Sequence, residues 1–363
     1  MRTSFGVWVL SLILIPLLCI GCEFDESNIT SAAQTNALEQ VGTIKIQETD
    51  ERFVGQFESA HVTLDPFRMY IADREIHRVA VVDRSGAIVR LIGEQGQGPG
   101  ELQDPQRAVR AGDSIIVEDT NTQFSVFTAD GEFKRRDRLP EGVWRGGMWS
   151  LTAADSGLYV AIQDVDLRAQ GLKATPDQAV MAELDSQFDP VRTFGTYPNL
   201  YQESEYVWRY TTLDVNEGLA AVGYYLVPDV QIYDVTQPKP SLVETVELAH
   251  PVFTEPDEPL PMDMPRSELQ EYAIDLSFVW QTFLLSDSTV VQVFNNRTEA
   301  FYENQAESER HHYAILGRIG SQEQKALKLP GRVFARDEMG RLYVELNPTP
   351  DNRKIGIYDV QWP

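Results

Sequence analysis

Cysteine is nearly absent from this chain of 363 residues: there are two, Cys19 and Cys22, and both fall in the first 22 positions. No disulfide framework and no cysteine-based metal or redox centre can be built over the rest, so the fold must rest on buried apolar area. Histidine is scarce as well, five in all. The adjacent pair His311-His312 stands at the start of an apolar run, where neighbouring strand side chains point to opposite faces and do not share a metal. Positive charge is in deficit. Against 55 Asp and Glu there are 31 Lys and Arg, for a net charge of −24, which argues against nucleic acid or an anionic lipid surface as a partner. Neither Gly-x-Ser-x-Gly nor His-Glu-x-x-His occurs, so the local motifs of a nucleophile elbow or a zincin helix are missing. A glycine-rich run, Gly93–Gly100, is followed by no Gly-Lys-Ser/Thr and no helical pattern, which argues against a phosphate cradle.

What the chain does have is one extended apolar run and many short ones. The extended run is Phe5–Ile20, after Arg2 and broken by Pro16. It is short for a spanning helix. The tetrapeptide at its end, Cys19-Ile20-Gly21-Cys22, resembles a bacterial lipobox, with Cys19 in a position where Leu is usual. That resemblance implies a signal peptide over residues 1–21, cleavage before Cys22, lipid on the Cys22 sulfur, and a place in the bacterial cell envelope. Each buried methylene of such a lipid contributes about 0.8 kcal/mol to membrane attachment. Glu23 rather than Asp follows the cysteine, which in lipoproteins of this kind leans towards the outer membrane. Residues 22–40 are polar and read as a flexible tether, leaving 41–363 as the folded domain.

The most informative stretch is Ile88–Arg135. Four short runs rich in Val, Ile and Phe alternate with the breaks Ala111-Gly112-Asp113, Thr120-Asn121-Thr122 and Ala129-Asp130-Gly131. Runs of that length between turn residues are strands joined by tight antiparallel links. Ile92-Gly93, Gly96-x-Gly98-Pro99-Gly100-Glu101-Leu102, Pro105, Ile116-Val117-x-Asp119, Phe124-x-Val126-Phe127 and Asp130-Gly131 together resemble an NHL-type β-propeller repeat. The resemblance is specific over Met69–Phe133 and loose elsewhere. It implies that the glycine-rich link carries the chain from the outer strand of one blade to the inner strand of the next.

The same unit recurs. Tyr70, Ile116, Tyr159, Ala220, Val291 and Tyr343 mark second strands, spaced by 46, 43, 61, 71 and 52 residues; blades run roughly 40–50 residues, so the later ones carry insertions. First strands are expected at Ala60–Leu64, Arg107–Arg110, Gly147–Ala153, Val207–Leu213, Phe278–Leu285 and Val333–Arg336. The sixth unit is one strand short, and the lone run Val41–Gln47 fits the gap. The expected fold is all-β, a six-bladed propeller of four-stranded antiparallel blades closed by an N-terminal strand, with no edge left open. Ser267 and Gln270 resemble a capping box ahead of Leu269, Tyr272, Ala273 and Leu276 at helical spacing, predicting one short helix before the fifth blade.

In such a ring, every long link falls on one face, where binding usually lives. First strands begin there and second strands end there. The first set brings Arg107, Arg145, Arg209 and Arg332, a candidate cationic funnel for an anionic group; four internal ion pairs would give the same sequence. Trp208 and Asn295 join them as candidate binding residues, within an aromatic cluster that includes Trp144, Trp149, Tyr210, Tyr224, Tyr225 and Trp280. The partner expected is a protein, peptide or glycan, with no cofactor and a monomeric chain. Some propellers similar to this one are lactonases or lyases with a divalent ion at the channel mouth. For that alternative Asp73, Asp119, Asn295 and Asn347 are the candidate oxygen ligands for Ca2+. Asp73 and Asp119 read first as carboxylates that accept backbone N–H groups of the next link.

Overall fold

The computed structural model describes residues 37–120, 123–140, 143–145, 151–154, 157–164, 178–203, 210–257, 265–274, 276–286, 288–304, 310–347, 349 and 352–362. It is a six-bladed β-propeller, each blade an antiparallel meander. Blade 1 is Phe57–Leu64, Phe67–Asp73, Arg78–Val82 and Ile88–Ile92, and blade 2 is Pro105–Ala111, Ser114–Asp119, Gln123–Thr128 and Phe133–Arg138. Blade 4 is Thr211–Asn216, Leu219–Tyr224, Val227–Asp234 and Ser241–Val246; blade 5 is Ser277–Leu284, Thr289–Arg297, Arg310–Arg318 and Gln324–Lys328. Three short helices lie among the described residues: α1 (Asn199–Glu203), α2 (Arg266–Ala273) and α3 (Glu299–Asn304).

Blade 3 departs from the expected pattern. Its inner strand is split into Val143–Arg145 and Thr152–Ala154, both paired with Gly157–Asp164, and Met181–Leu184 and Pro190–Phe194 complete it. Six residues separate Arg145 from Thr152, whereas two separate their partners Ile162 and Tyr159; of the first strand expected over Gly147–Ala153, Thr152 and Ala153 lie in the second of these pieces. Residues 146–150 lie outside the described residues. In blade 4 the inner strand is Thr211–Asn216 rather than Val207–Leu213: this register buries Leu213 and Val215, and residues 204–209 lie outside the described residues.

The closing strand is the outer strand of blade 6. Leu38–Lys45 pairs antiparallel with Lys354–Val360, followed inward by Leu342–Asn347 and Arg332–Arg336. It begins at Leu38, three residues before the run expected from sequence, with a bulge between Gln40 and Gly42. Ile44 is buried against Phe57, Phe334 and Ile355, so the first and last blades share one core. The other hydrophobic clusters are likewise set at blade junctions: Tyr70 and Val79 with Ala108 and Val117, Phe124 with Val160 and Phe188, Tyr159 with Tyr224, Val230 with Phe294, and Val293 with Val333. Strands rich in Val, Ile and Tyr can be apolar on both faces because each blade is covered on both sides.

A polar latch repeats around the rim. Arg90 of blade 1 donates to Ala129 O (2.9 Å), Arg135 of blade 2 to Ser186 O, and Arg192 of blade 3 to Gln237 O (2.5 Å). Each arginine is the third residue of an outer strand and reaches the turn between third and fourth strands of the next blade. At the next junction Glu244 accepts the Gly320 N–H (2.7 Å), and across the closure Gln47 donates to Ser85 O (2.8 Å).

The helix expected before blade 5 is α2, but not its cap. Pro265 stands at the N-cap and no side chain closes it, because the helix starts at Arg266 and takes Ser267 inside. Helices α1 and α3 sit in long links that sequence periodicity did not resolve. Among the described residues no helix is long and apolar enough to cross a membrane.

Candidate functional site

The meander sorts the links by face. Links from first to second and from third to fourth strands span six residues at most, whereas on the opposite face five links reach twelve residues or more: 93–104, 165–180, 195–210, 247–276 and 298–309. The long-link face is therefore built mainly by blades 3 to 5.

Of the four arginines expected at that face, Arg332 is committed internally. It donates to Glu345 Oε2 (3.0 Å) and to Phe57 O of the neighbouring blade (2.5 Å). Arg353, buried beside it, donates to Gly55 O (3.1 Å). Arg107 turns into the axis rather than outwards. It is buried, burial lowers its pKa, and Asp214, Glu118 and Arg336 are the charged groups around it. Arg145 lies on a described strand, but its side chain, like Arg209 and Trp208, is outside the described residues. Of the aromatic residues, Tyr224, Tyr225 and Trp280 are buried in the junction between blades.

Most of the oxygen ligands of the calcium alternative are engaged by local backbone. They sit on blades 1, 2, 5 and 6, and three are spent on local backbone. Asp73, fully buried, accepts N–H groups from Gly55 (2.7 Å), Gln56 (3.0 Å), Glu75 (3.0 Å) and Ile76 (3.3 Å). Asp119 accepts from Gln103 (3.0 Å) and Asp104 (2.6 Å), and Asn347 from Thr349 (3.0 Å). Burial raises the carboxyl pKa of Asp73 and Asp119, with those N–H groups pulling the other way. Both aspartates end a second strand and staple the link entering their own blade. Asn295 is fully buried in blade 5, opposite Phe278 and His312. Among the described residues no group of three His, Cys, Asp or Glu is placed to hold a metal.

Sequence reasoning missed the charges on the axis itself. Asp214, on the inner strand of blade 4, accepts two guanidinium N–H groups from Arg336 on the inner strand of blade 6 (2.5 and 3.1 Å), the Leu284 N–H of blade 5 (2.9 Å) and its neighbour Val215 N–H (3.0 Å). One carboxylate thus ties three inner strands together near their short-link ends. His61 of blade 1 faces the same region. Its pKa is depressed to about 3 by burial first, then by the fields of Arg107, Arg336 and Arg110, so it is neutral at pH 7. The one available signal was a charged residue inside an otherwise apolar inner strand, at Leu213-Asp214-Val215 and Phe334-Ala335-Arg336.

The second missed group is on the long-link side of blade 5. Arg297 and Arg310 flank the 298–309 link and stand directly opposite one another in the pairing of second and third strands. Arg297 lies over Phe278 (4.4 Å) and donates to Tyr225 OH (2.9 Å); Arg310 lies over Phe301 of α3 (4.3 Å) and Trp280 (5.6 Å).

The arrangement is that of a six-bladed β-propeller with one elaborated face and a charge pair, Asp214 with Arg336, across its axis. No protein-family model matches the chain, and no curated protein matches it either. Solved structures do. The chain is similar to a member of the DUF4221 family from Bacteroides vulgatus, at 14% identity and TM-score 0.64, over 90% of this chain and 99% of that one. It is also similar to a putative exported protein from Bacteroides fragilis, at 13% identity and TM-score 0.59, over 92% of this chain and 98% of that one. At such identities the likeness is one of fold.

Proposed function

We propose that this chain is a lipoprotein of the bacterial cell envelope, anchored by lipid on Cys22, whose propeller is a binding module for a protein, peptide or glycan at its long-link face. The NHL-type relationship of blades 1 and 2 belongs to the same reading. The observation that carries it is the asymmetry of the two faces: every link of twelve residues or more emerges on one side. Loops on a rigid scaffold are where recognition is built, and a junction-by-junction core leaves the scaffold independent of what the loops do. The exported character in the name of the Bacteroides fragilis protein agrees with an envelope location. The lipobox-like Cys19–Cys22 supplies the anchor.

Two experiments test the two halves. The chain with Cys22→Ala should leave the membrane fraction, and continued membrane association contradicts the anchor. Tagged wild-type chain should capture a partner from an envelope extract. Reversing exposed charges on the long-link face (Glu94→Lys with Asp257→Lys) should abolish capture, whereas reversals on the other face (Glu217→Lys with Glu338→Lys) should not. The opposite pattern overturns the reading.

A further inference from the structure

The closing strand fixes where the chain enters the propeller. Third strands run towards the short-link face, and Lys354–Val360 is the third strand of blade 6. Leu38 stands opposite Val360 and Lys45 opposite Lys354, so the closing strand starts at the short-link end of its pair. Ala37 is held there. It is buried, its carbonyl accepts the Gln361 N–H (2.8 Å), and it shares a hydrophobic cluster with Leu285, in the link between the first and second strands of blade 5. Trp362 beside it lies over Arg318 (5.1 Å) and Lys325 (5.9 Å), which flank the link between the third and fourth strands of the same blade. The chain therefore enters on the short-link side of blades 5 and 6. The opposite face is tied to the same scaffold. Tyr201 of α1 and Ala273 of α2 are buried in one cluster with Tyr225 and Trp280, and Tyr302 of α3 packs against it, so the helices of three long links share a core with the blades beneath them.

We propose that the propeller stands on its membrane by the short-link side of blades 5 and 6, so that the long-link face is turned away from that membrane and takes its partner from the aqueous space. The inference deepens the binding-module reading above and rests on the lipid at Cys22. Ala37 is fifteen residues on from Cys22, a length that spans about 50 Å at full extension. A folded chain of this size has a radius of gyration of about 20 Å. Turning the long-link face to the membrane would require those residues to run nearly straight along the side of the domain, at the expense of their conformational entropy. Leaving the short-link side towards the membrane requires no such ordering. The partner that fits this geometry is one that approaches from the aqueous side, not one embedded in the anchoring bilayer.

The test uses the full lipidated chain in phosphatidylcholine vesicles that carry a nitroxide on a fraction of the headgroups. With the signal peptide removed Cys22 is the one cysteine and is lipidated, so Met339→Cys and Glu255→Cys each supply a single thiol for a fluorophore, and both positions are exposed. Met339 lies in the link between the first and second strands of blade 6, and Glu255 on the 247–276 link of the other face. The probe at Met339→Cys should lose much of its fluorescence to the nitroxide, and the probe at Glu255→Cys should keep nearly all of it. Equal quenching at the two positions, or stronger quenching at Glu255→Cys, overturns the orientation. Flotation of the same samples separates the two readings. A lipidated chain that does not float with the vesicles removes the anchor and this inference with it. A chain that floats but shows equal or reversed quenching removes only the orientation, and capture of a partner at the long-link face is unaffected.

Discussion

Arg336→Met is the most informative single perturbation of the scaffold. Asp214 is 6% exposed and Arg336 is its ion-pair partner. Removing the guanidinium leaves a sheltered carboxylate with only the Leu284 and Val215 N–H groups. Breaking a buried pair by deleting one partner costs about 3–5 kcal/mol, because the remaining charge stays desolvated. An exposed pair would cost about 1 kcal/mol or less. The companion variant Asp214→Asn removes the charge but keeps one acceptor for those N–H groups. In the double variant neither charge remains, so its loss should fall well short of the two single losses added together. Equilibrium urea denaturation of the purified chain measures all three. The reasoning is refuted if Arg336→Met loses less than about 1 kcal/mol, or if the double variant loses the full sum.

Acidification should destabilise the fold through histidine. His250 is buried between Phe294 and Tyr313, accepts the Val252 N–H, and has its pKa lowered to about 4 by burial. With the folded pKa below the unfolded value of about 6.5, the neutral form's contribution is complete above pH 6.5 and is lost as pH falls towards 4. By linkage this is roughly 3 kcal/mol in all. Urea melts at pH 7.5 and 5 should show a larger acid loss in wild type than in His250→Gln; equal losses refute it. Ring closure is tested at Gly86, which has φ +90° and whose added Cβ would lie 1.9 Å from Lys45 O. Gly86→Ala should loosen the closing strand and expose Lys45 to trypsin, seen as early cleavage there; a cleavage pattern like wild type would contradict the junction.

The parts of this fold that were legible in sequence are the local ones. Gly93–Pro105, the Asp130-Gly131 turn and the apolar runs around Tyr70 and Ile116 each depend on neighbouring residues, and the blades came out where those patterns put them. The closing strand was legible by strand count alone. What could not be read depends on the ring being shut. Asp214 and Arg336 are separated by 122 positions and meet only across the axis. Arg297 faces Arg310 only because of the register across α3. The rim arginines Arg90, Arg135 and Arg192 look like ordinary surface charges until the next blade's turn is placed beside each. Asp73 and Asp119 show the reverse: candidate ligands by residue type, they are consumed by the turns beside them, a local role that was also on the table from sequence.

The central claim is that the long-link face is where this protein meets its partner. Site-specific photo-crosslinking in cells tests it most directly, with the probe at Glu255 on the 247–276 link or at Met339, 67% exposed on the opposite face. The account predicts a discrete adduct from Glu255 and none from Met339. An adduct from Met339 alone, or none from either position, would contradict it.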